Sequence, residues 1–408
     1  MRIAVLCNDP RGGVQPYVAL ACGLRDAGHD VRAVAPTDLA PMFDRLGIPT
    51  APLAGSIEAV LREGAAALAG GPRAGMRFAA RERAPRIDAW TRTTLAACED
   101  VDVVTGGVGG MVVGLAVAEK LGRPFVEAHL QPIGAPTGAY PGVLLAGLPG
   151  WLGRPGRYLS HYFSDQGVWM PFRRAMAQAR ESVLGLSGRP PARRGPVLYG
   201  FSRHVVPLPT GRERPRHATG YWTLPAGPDW TPPPALAAFL SRPGPVVSIG
   251  FGSMAGGDPD ATTALAVDAA CRAGVRAVLL AGSGGLAATP ETDDVFVADA
   301  VPHDWLFPRV DAVVHHGGAG TTGAAIQAGV PAVVVPFTVD QPFWASRVAA
   351  LGVGPAPLPY GQLSAARLAD ALRQATTDKP MRDRARTLGA AVCAEDGVAA
   401  AVAHFPPA

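Results

Sequence analysis

Lysine is almost missing from this 408-residue chain: it occurs only at Lys120 and Lys379, so nearly all of the 37 basic residues are arginine. The formal net charge is only +4 and no dense basic stripe runs along the chain, which leaves no electrostatic footprint for a nucleic-acid polymer. The arginine bias then reads as genome composition rather than as phosphate recognition. Cysteine is scarce too. Cys7, Cys22, Cys98, Cys271 and Cys393 are odd in number and widely spaced, which argues against a disulfide framework and a zinc site and fits a reducing cytoplasm. Long apolar runs are lacking. The amino terminus enters an apolar strand at once, without the charged region and cleavage site of a secretory signal. The apolar stretch from Pro141 to Gly153 is broken by proline and glycine and is too short to span a bilayer, so it reads as a wall of a pocket. The expectation is a cytoplasmic protein with no transmembrane segment.

What is plentiful is glycine (50) and proline (41), in a chain that is 48% hydrophobic and 17% charged. That composition belongs to a globular protein of many short, punctuated elements, and the length suggests two domains. Apolar runs at Ile3–Cys7, Val31–Ala35, Val101–Thr105 and Pro124–Glu127 alternate with helical stretches at Val18–Ala27 and Met111–Leu121. Between Arg189 and Pro234 the chain is dense in proline, arginine and glycine. Strand-like runs then resume at Val246–Phe251, Ala277–Ala281, Val295–Ala298, Asp311–His315 and Ala332–Phe337, with a helical pattern at Ala261–Ala273. This predicts an α/β fold of two doubly wound, Rossmann-like domains facing a central cleft. The expected divisions are an acceptor-side domain over 1–210, a linker over 211–235, a second domain over 236–385, and a helical segment over 386–408 that packs back on the first domain.

The most informative stretch runs from Asp311 through Val-Val-His315-His316-Gly317-Gly318-Ala-Gly320-Thr321-Thr322 to Gly329 and Pro331. It reads as strand, glycine loop, helix, turn and strand. Glycines let the backbone approach a ligand, the threonines suit a helix start, and the first turn of a helix stabilises a phosphate through its N–H groups and dipole. His315 at the strand end would add a hydrogen bond. The alternative is a tight turn with exposed histidines. Farther on, Asp340 and Gln341 sit side by side at the next strand-to-loop corner, a donor and acceptor set suited to sugar hydroxyls.

With Val301-Pro-His303-Asp-Trp-Leu-Phe-Pro, these motifs resemble the donor site of the family 1 nucleotide-sugar glycosyltransferases, which include bacterial antibiotic glycosyltransferases and sterol glucosyltransferases. Arg11-Gly-Gly-Val-Gln-Pro resembles that family's first loop, and Tyr199-Gly-Phe-Ser and Thr219-Gly-Tyr-Trp look most like its sterol glucosyltransferase branch. The resemblance implies a GT-B fold, with Val301 and His303 meeting the base. Ser253, His315, Gly317, Gly318, Gly320 and Thr321 would hold the diphosphate, while Asp340 and Gln341 read the sugar. It also implies inverting transfer of a hexose or deoxyhexose from a UDP- or TDP-sugar co-substrate to a small apolar acceptor, with no cofactor and no metal.

One position departs from the pattern. Many bacterial members carry an aspartate, the proposed base, where this chain has Gly13. Asp9 on the same loop is the replacement candidate, with a turn-forming role ahead of Pro10 as the alternative; His129 and Glu127, at a strand end, come second. A non-catalytic nucleotide-binding scaffold and an epimerase are the competing functions. The Asp100-x-Asp102 and Asp258-x-Asp260 pairs match a metal-holding spacing but read as chance. An NAD site at Gly250-Phe-Gly is disfavoured because Asp268 falls within a helical stretch. Trp222, Trp230, Trp305 and Trp344 suit core packing as well as stacking on sugar or base.

Overall fold

Short valine- and alanine-rich runs are too brief for helices and apolar on both faces, which is the pattern of strands covered by helices on both sides. The computed structural model describes residues 1–57, 59, 77–78, 80–82, 84–188, 190, 195–209, 214–227, 230–252, 258–282, 286–287 and 292–407. The chain divides into two compact units, one built from Met1–Val60, Arg73–Leu224 and Glu395–Ala408 and the other including Pro225–Ala394.

In the first unit the strands are β1 (Arg2–Leu6), β2 (Asp30–Pro36), β3 (Thr50–Leu53), β4 (Val103–Gly106), β5 (Phe125–His129), β6 (Val197–Tyr199) and β7 (Arg216–Ala218). They pair in parallel in the order β3-β2-β1-β4-β5-β6-β7. The order reverses direction between β1 and β4, and in such sheets the crevice at the carboxyl ends of those two strands is where ligands bind. The Arg11–Asp26 helix buries Val14, Tyr17, Val18, Ala21 and Leu24, an i, i+3, i+4 stripe laid against the sheet. The Val108–Leu121 helix approaches β1 so closely that a Cβ on Gly110 would fall 2.2 Å from the Leu6 carbonyl oxygen.

The second unit repeats the plan with β8 (Val246–Gly250), β9 (Arg276–Leu280), β10 (Val295–Ala298), β11 (Ala312–His315) and β12 (Ala332–Val334). Their order is β10-β9-β8-β11-β12, again parallel, with the reversal between β8 and β11. Val247, Ile249, Phe251, Ala277, Leu279, Val314 and Val333 form one side of its core. Full burial of each valine, leucine or isoleucine side chain stabilises by about 1.5–3 kcal/mol, so these strands hold the loops at their ends firmly.

Two expected boundaries shift. The segment read as a linker over 211–235 contains β7, and beyond it Trp222 is buried with its Nε1 donating to Thr219 Oγ1 at 2.9 Å. Proline and arginine density concealed a short edge strand. The break expected at 386 lies within one continuous helix, Lys379–Cys393, capped by the Asp378 carboxylate. The return to the first unit begins at Glu395, where the Gly397–Val402 helix packs on Gly23: a Cβ there would lie 2.2 Å from Val398 Cγ1.

Candidate active site

Candidate site residues gather at the strand reversal of each sheet. In the second unit, β11 delivers His315 to its carboxyl end, beside Gly250 of β8 and Val334 of β12. The chain then turns through His316 and Gly317 into the Ala319–Gln327 helix, which Gly318 caps in an extended conformation. Gly317 has φ 91°, a left-handed value that disfavours a side chain. Space is lacking there as well: a Cβ would stand 2.8 Å from Val334 Cγ1. Gly318, Gly320 and Thr321 therefore surround the first turn of a helix, where N–H groups have no intrahelical acceptor and the dipole is positive. Thr321 and Thr322 lie inside this helix rather than at its cap, and the Thr322 hydroxyl is buried without a partner among the described residues.

His315 is 1% exposed, and burial drives its pKa down to about 3, so the ring is neutral near pH 7. Its Nδ1 accepts the Gly317 N–H at 3.0 Å, which puts the ring proton on Nε2. That Nε2 is buried and has no hydrogen-bond partner among the described residues. An unmet buried donor costs about 1–3 kcal/mol, and an acceptor brought by a ligand would remove that cost. His316, which the sequence reading passed over, resembles it: burial lowers its pKa to about 4 and its buried Nδ1 also has no partner among the described residues. Two adjacent histidines at a strand end were the available signal. The His316 ring lies against the loop after β8, with Cε1 3.5 Å from where a Gly252 Cβ would be.

Val301 is buried, and His303 stacks on Phe307 with ring centroids 4.4 Å apart. Asp340 and Gln341 follow β12 at the start of the Gln341–Leu351 helix. The Asp340 carboxylate accepts from the buried Trp344 Nε1 at 3.1 Å, which fixes its direction and accounts for Trp344. Gln341 departs from expectation in part: its Oε1 accepts the Phe337 and Thr338 N–H groups at 2.8 and 3.1 Å, so the oxygen holds the turn and only the amide NH2 faces other uses. Val339, next to Asp340, has φ 58° and is exposed; a β-branched residue held there stores about 1–3 kcal/mol, as backbone at ligand sites often does. Ser253 lies outside the described residues.

In the first unit, Asp9 follows β1 at the reversal point and is half-buried. Its side chain fills the space that two glycines leave: a Cβ on Gly13 would be 2.8 Å from Asp9 Cβ, and one on Gly109 would be 2.5 Å from Asp9 Oδ2. Desolvation raises the pKa values of buried Tyr17 and Cys7, and the nearby Asp9 charge raises them further. His129 and Glu127 sit elsewhere. His129 is fully buried, 3.1 Å from Glu127 Oε2, and tilts against Tyr199, while Glu127 also pairs with Arg214 at 2.8 Å. The Tyr199 ring of β6 packs against His129, so this strand end, expected to open outward, is buried.

The weaker signals have structural explanations. Asp258 caps the Pro259–Ala273 helix by accepting the Ala261 N–H, Asp268 pairs with Arg272 on that helix, and Asp100 and Asp102 both pair with Arg2. Trp230 and Trp305 pack edge to face at 5.3 Å. Among the described residues, no group of three or more histidine, cysteine, aspartate or glutamate side chains is arranged to hold a metal ion.

Two Rossmann-like units, each with a glycine turn at its strand reversal, are the parts of the GT-B class of architecture, and solved structures match over the whole chain. The glycosyltransferase SnogD from Streptomyces nogalater matches with a TM-score of 0.66 at 23% identity, covering 99% of this chain and 98% of that one. The glycosyltransferase VinC in complex with DTDP matches with a TM-score of 0.67 at 20% identity, covering 99% and 98%. Residues 269–404 match the family model described as Erythromycin biosynthesis protein CIII-like, C-terminal domain. A sterol 3-beta-glucosyltransferase of Aspergillus clavatus is 35% identical over 98% of this chain and 29% of its own length, and one of Pichia angusta is 33% identical over 98% and 33%. This chain thus spans about a third or less of the curated relatives it matches. Together these matches support a place for the chain among the family 1 glycosyltransferases.

Proposed function

We propose that this protein transfers a hexose or deoxyhexose from a UDP- or TDP-sugar to a hydroxyl of a small, largely apolar acceptor of the sterol or polyketide kind, in the cytoplasm. The observation that carries the reading is the neutral His315, whose buried Nε2–H finds no acceptor among the described residues, beside a glycine turn that opens a helix. A diphosphate meets those needs. Its oxygens would accept from Nε2 and from the N–H groups of Gly320 and Thr321, and oriented dipoles would take up its charge without a cation. His303 and Val301 would meet the base, and the Asp340 carboxylate, aimed by Trp344, would accept from sugar hydroxyls.

In the reaction, the acceptor oxygen attacks the anomeric carbon as the carbon–oxygen bond to the diphosphate breaks, and that electron pair leaves with the nucleotide. The acceptor proton passes to the Asp9 carboxylate. One displacement inverts the anomeric centre. Asp9 is favoured over His129 because it lies at the sheet reversal point and is part-exposed, whereas His129 is sealed. The relatives named as sterol glucosyltransferases support an apolar acceptor. A second reading, nucleotide binding without transfer, draws on Gly13, which cannot take a proton.

The test is an incubation with UDP- or TDP-glucose in EDTA, with and without a panel of sterol and polyketide alcohols. Nucleoside diphosphate released only when an acceptor is present, with a β-linked product from an α-linked donor, is the expected result. Binding without release against every acceptor would leave the scaffold reading standing, and a new sugar nucleotide formed from donor alone would point to epimerisation.

A further inference from the structure

Helices that cover a sheet normally turn apolar residues inward and polar ones out. The Gly153–Trp169 helix does the reverse. Its buried residues are Ser160, His161 and Ser164. Ser160 Oγ accepts the Gly142 N–H at 2.7 Å, Ser164 Oγ accepts the Leu144 N–H at 3.2 Å, and His161 Nε2 lies 3.1 Å from the Tyr140 carbonyl oxygen, so the polar face is spent on pinning the preceding loop.

The outward face is aromatic and aliphatic. Tyr158, Leu159, Tyr162 and Phe163 are 57, 56, 60 and 55% exposed, and the adjoining Trp151 and Met170 are 83 and 58% exposed. At about 100° per residue Tyr158, Leu159, Tyr162, Phe163 and Met170 fall within an arc of about 140° that also carries the exposed Gln166, and Trp151 lies just ahead of the helix in the Gly150–Leu152 turn. Around the stripe, Arg154 and Arg157 stand at the start of the helix and Arg173 and Arg174 just beyond its end, with no ion-pair partner among the described residues. Asp165, the acid within this stretch, accepts the Gly134 N–H at 3.3 Å.

We propose that this face docks the protein onto the surface of an anionic lipid bilayer. Tryptophan and tyrosine are the side chains that settle at the boundary between headgroups and acyl chains, and arginines that flank them meet lipid phosphates. A helix lying in that plane needs an apolar arc on one side with cationic flanks, which is what this one offers. No described helix is long and apolar enough to cross a membrane, so the contact is peripheral.

The test is sedimentation of the full chain with vesicles of phosphatidylcholine alone and of an equimolar mixture with phosphatidylglycerol. The protein should pellet with the mixed vesicles and bind the neutral ones about ten-fold more weakly. The exposed double variant Y162S/F163S should lower binding to mixed vesicles about ten-fold, with an unchanged unfolding midpoint, and R173Q/R174Q should remove most of the preference for anionic lipid. Wild-type protein that stays in the supernatant, or a Y162S/F163S variant that pellets equally well, would overturn the proposal. So would a doubling of mass without lipid that Y162S/F163S abolishes while vesicles bind nothing, since the stripe would then cover a second copy of the chain.

Discussion

Asp9 and Gly13 compete for one small volume, and that competition can be exploited. Real Cβ atoms do not approach within 3.0 Å of another carbon, yet a methyl group at Gly13 would sit 2.8 Å from Asp9 Cβ, an atom close to the backbone that cannot swing away. Gly109 closes the other side, with its Cβ position 2.5 Å from Asp9 Oδ2. Gly13→Ala must therefore displace Asp9 or its loop, with an overpacking cost of about 1–3 kcal/mol. A displacement near 1 Å from productive geometry lowers turnover about 10²-fold, and removal of the base by Asp9→Asn lowers it about 10²–10⁴-fold. Asp9→Gly empties the volume, and adding Gly13→Asp returns a carboxylate from the neighbouring position. The account predicts that D9G is as inactive as D9N and that D9G/G13D regains at least a tenth of wild-type kcat, measured by nucleotide release under saturating donor. KM for the donor should stay within about two-fold throughout, because the donor groups lie in the other unit. A D9N variant with wild-type kcat would refute Asp9 as base. Recovery of nothing by D9G/G13D, with both variants folded, would show that the carboxylate must come from position 9 alone.

Three more outcomes follow from the donor-side geometry. The folded-state pKa of His315, about 3, lies below its unfolded value of 6.5, so the unfolded chain takes the proton first. Each such proton makes stability fall by about 1.4 kcal/mol per pH unit below pH 6.5, and His316, lowered to about 4, adds a second over most of the same window; urea melts at several pH values read the slope, and His315→Asn should remove about half of it. Gly317→Ala should cost about 2–4 kcal/mol, since it combines a left-handed φ of 91° with a 2.8 Å contact to Val334; a midpoint unchanged by thermal melting would contradict the assignment. Trp344→Phe keeps the ring but removes the donor that aims Asp340, and should raise the KM for sugar nucleotide about five- to ten-fold while leaving affinity for the bare nucleoside diphosphate unchanged by calorimetry.

Much of the architecture was legible because hydrophobic burial writes itself into the period of the chain. Val295–Ala298 appears as a strand with the same limits read from the sequence, and Val246–Gly250, Arg276–Leu280 and Ala312–His315 differ by a residue or so. Ala332–Phe337 shortens to Ala332–Val334: Val335 still donates to the His315 carbonyl, but Pro336 has no N–H to continue the ladder. The glycine turn after His315 was legible too, because left-handed backbone and close approach leave few residue choices. Contacts between distant residues were not. Nothing local reveals that Asp9 occupies the volume beside Gly13 and Gly109, that Gln341 folds back on Phe337 and Thr338, or that the Tyr199 ring packs against His129. The Gly153–Trp169 helix shows the limit most clearly. Its period marks two faces, but only the structure tells which of them is buried.

The donor site is the part of the account on which the rest depends, and calorimetric titration tests it directly. UDP and TDP would each be titrated into wild type and His315→Ala, with magnesium and with EDTA. The account predicts that one diphosphate binds equally well in both buffers and about 10- to 100-fold more weakly to the variant, since a buried hydrogen bond to a charged group is lost. Failure of both diphosphates to bind wild type, or binding that requires magnesium and ignores His315, would contradict it.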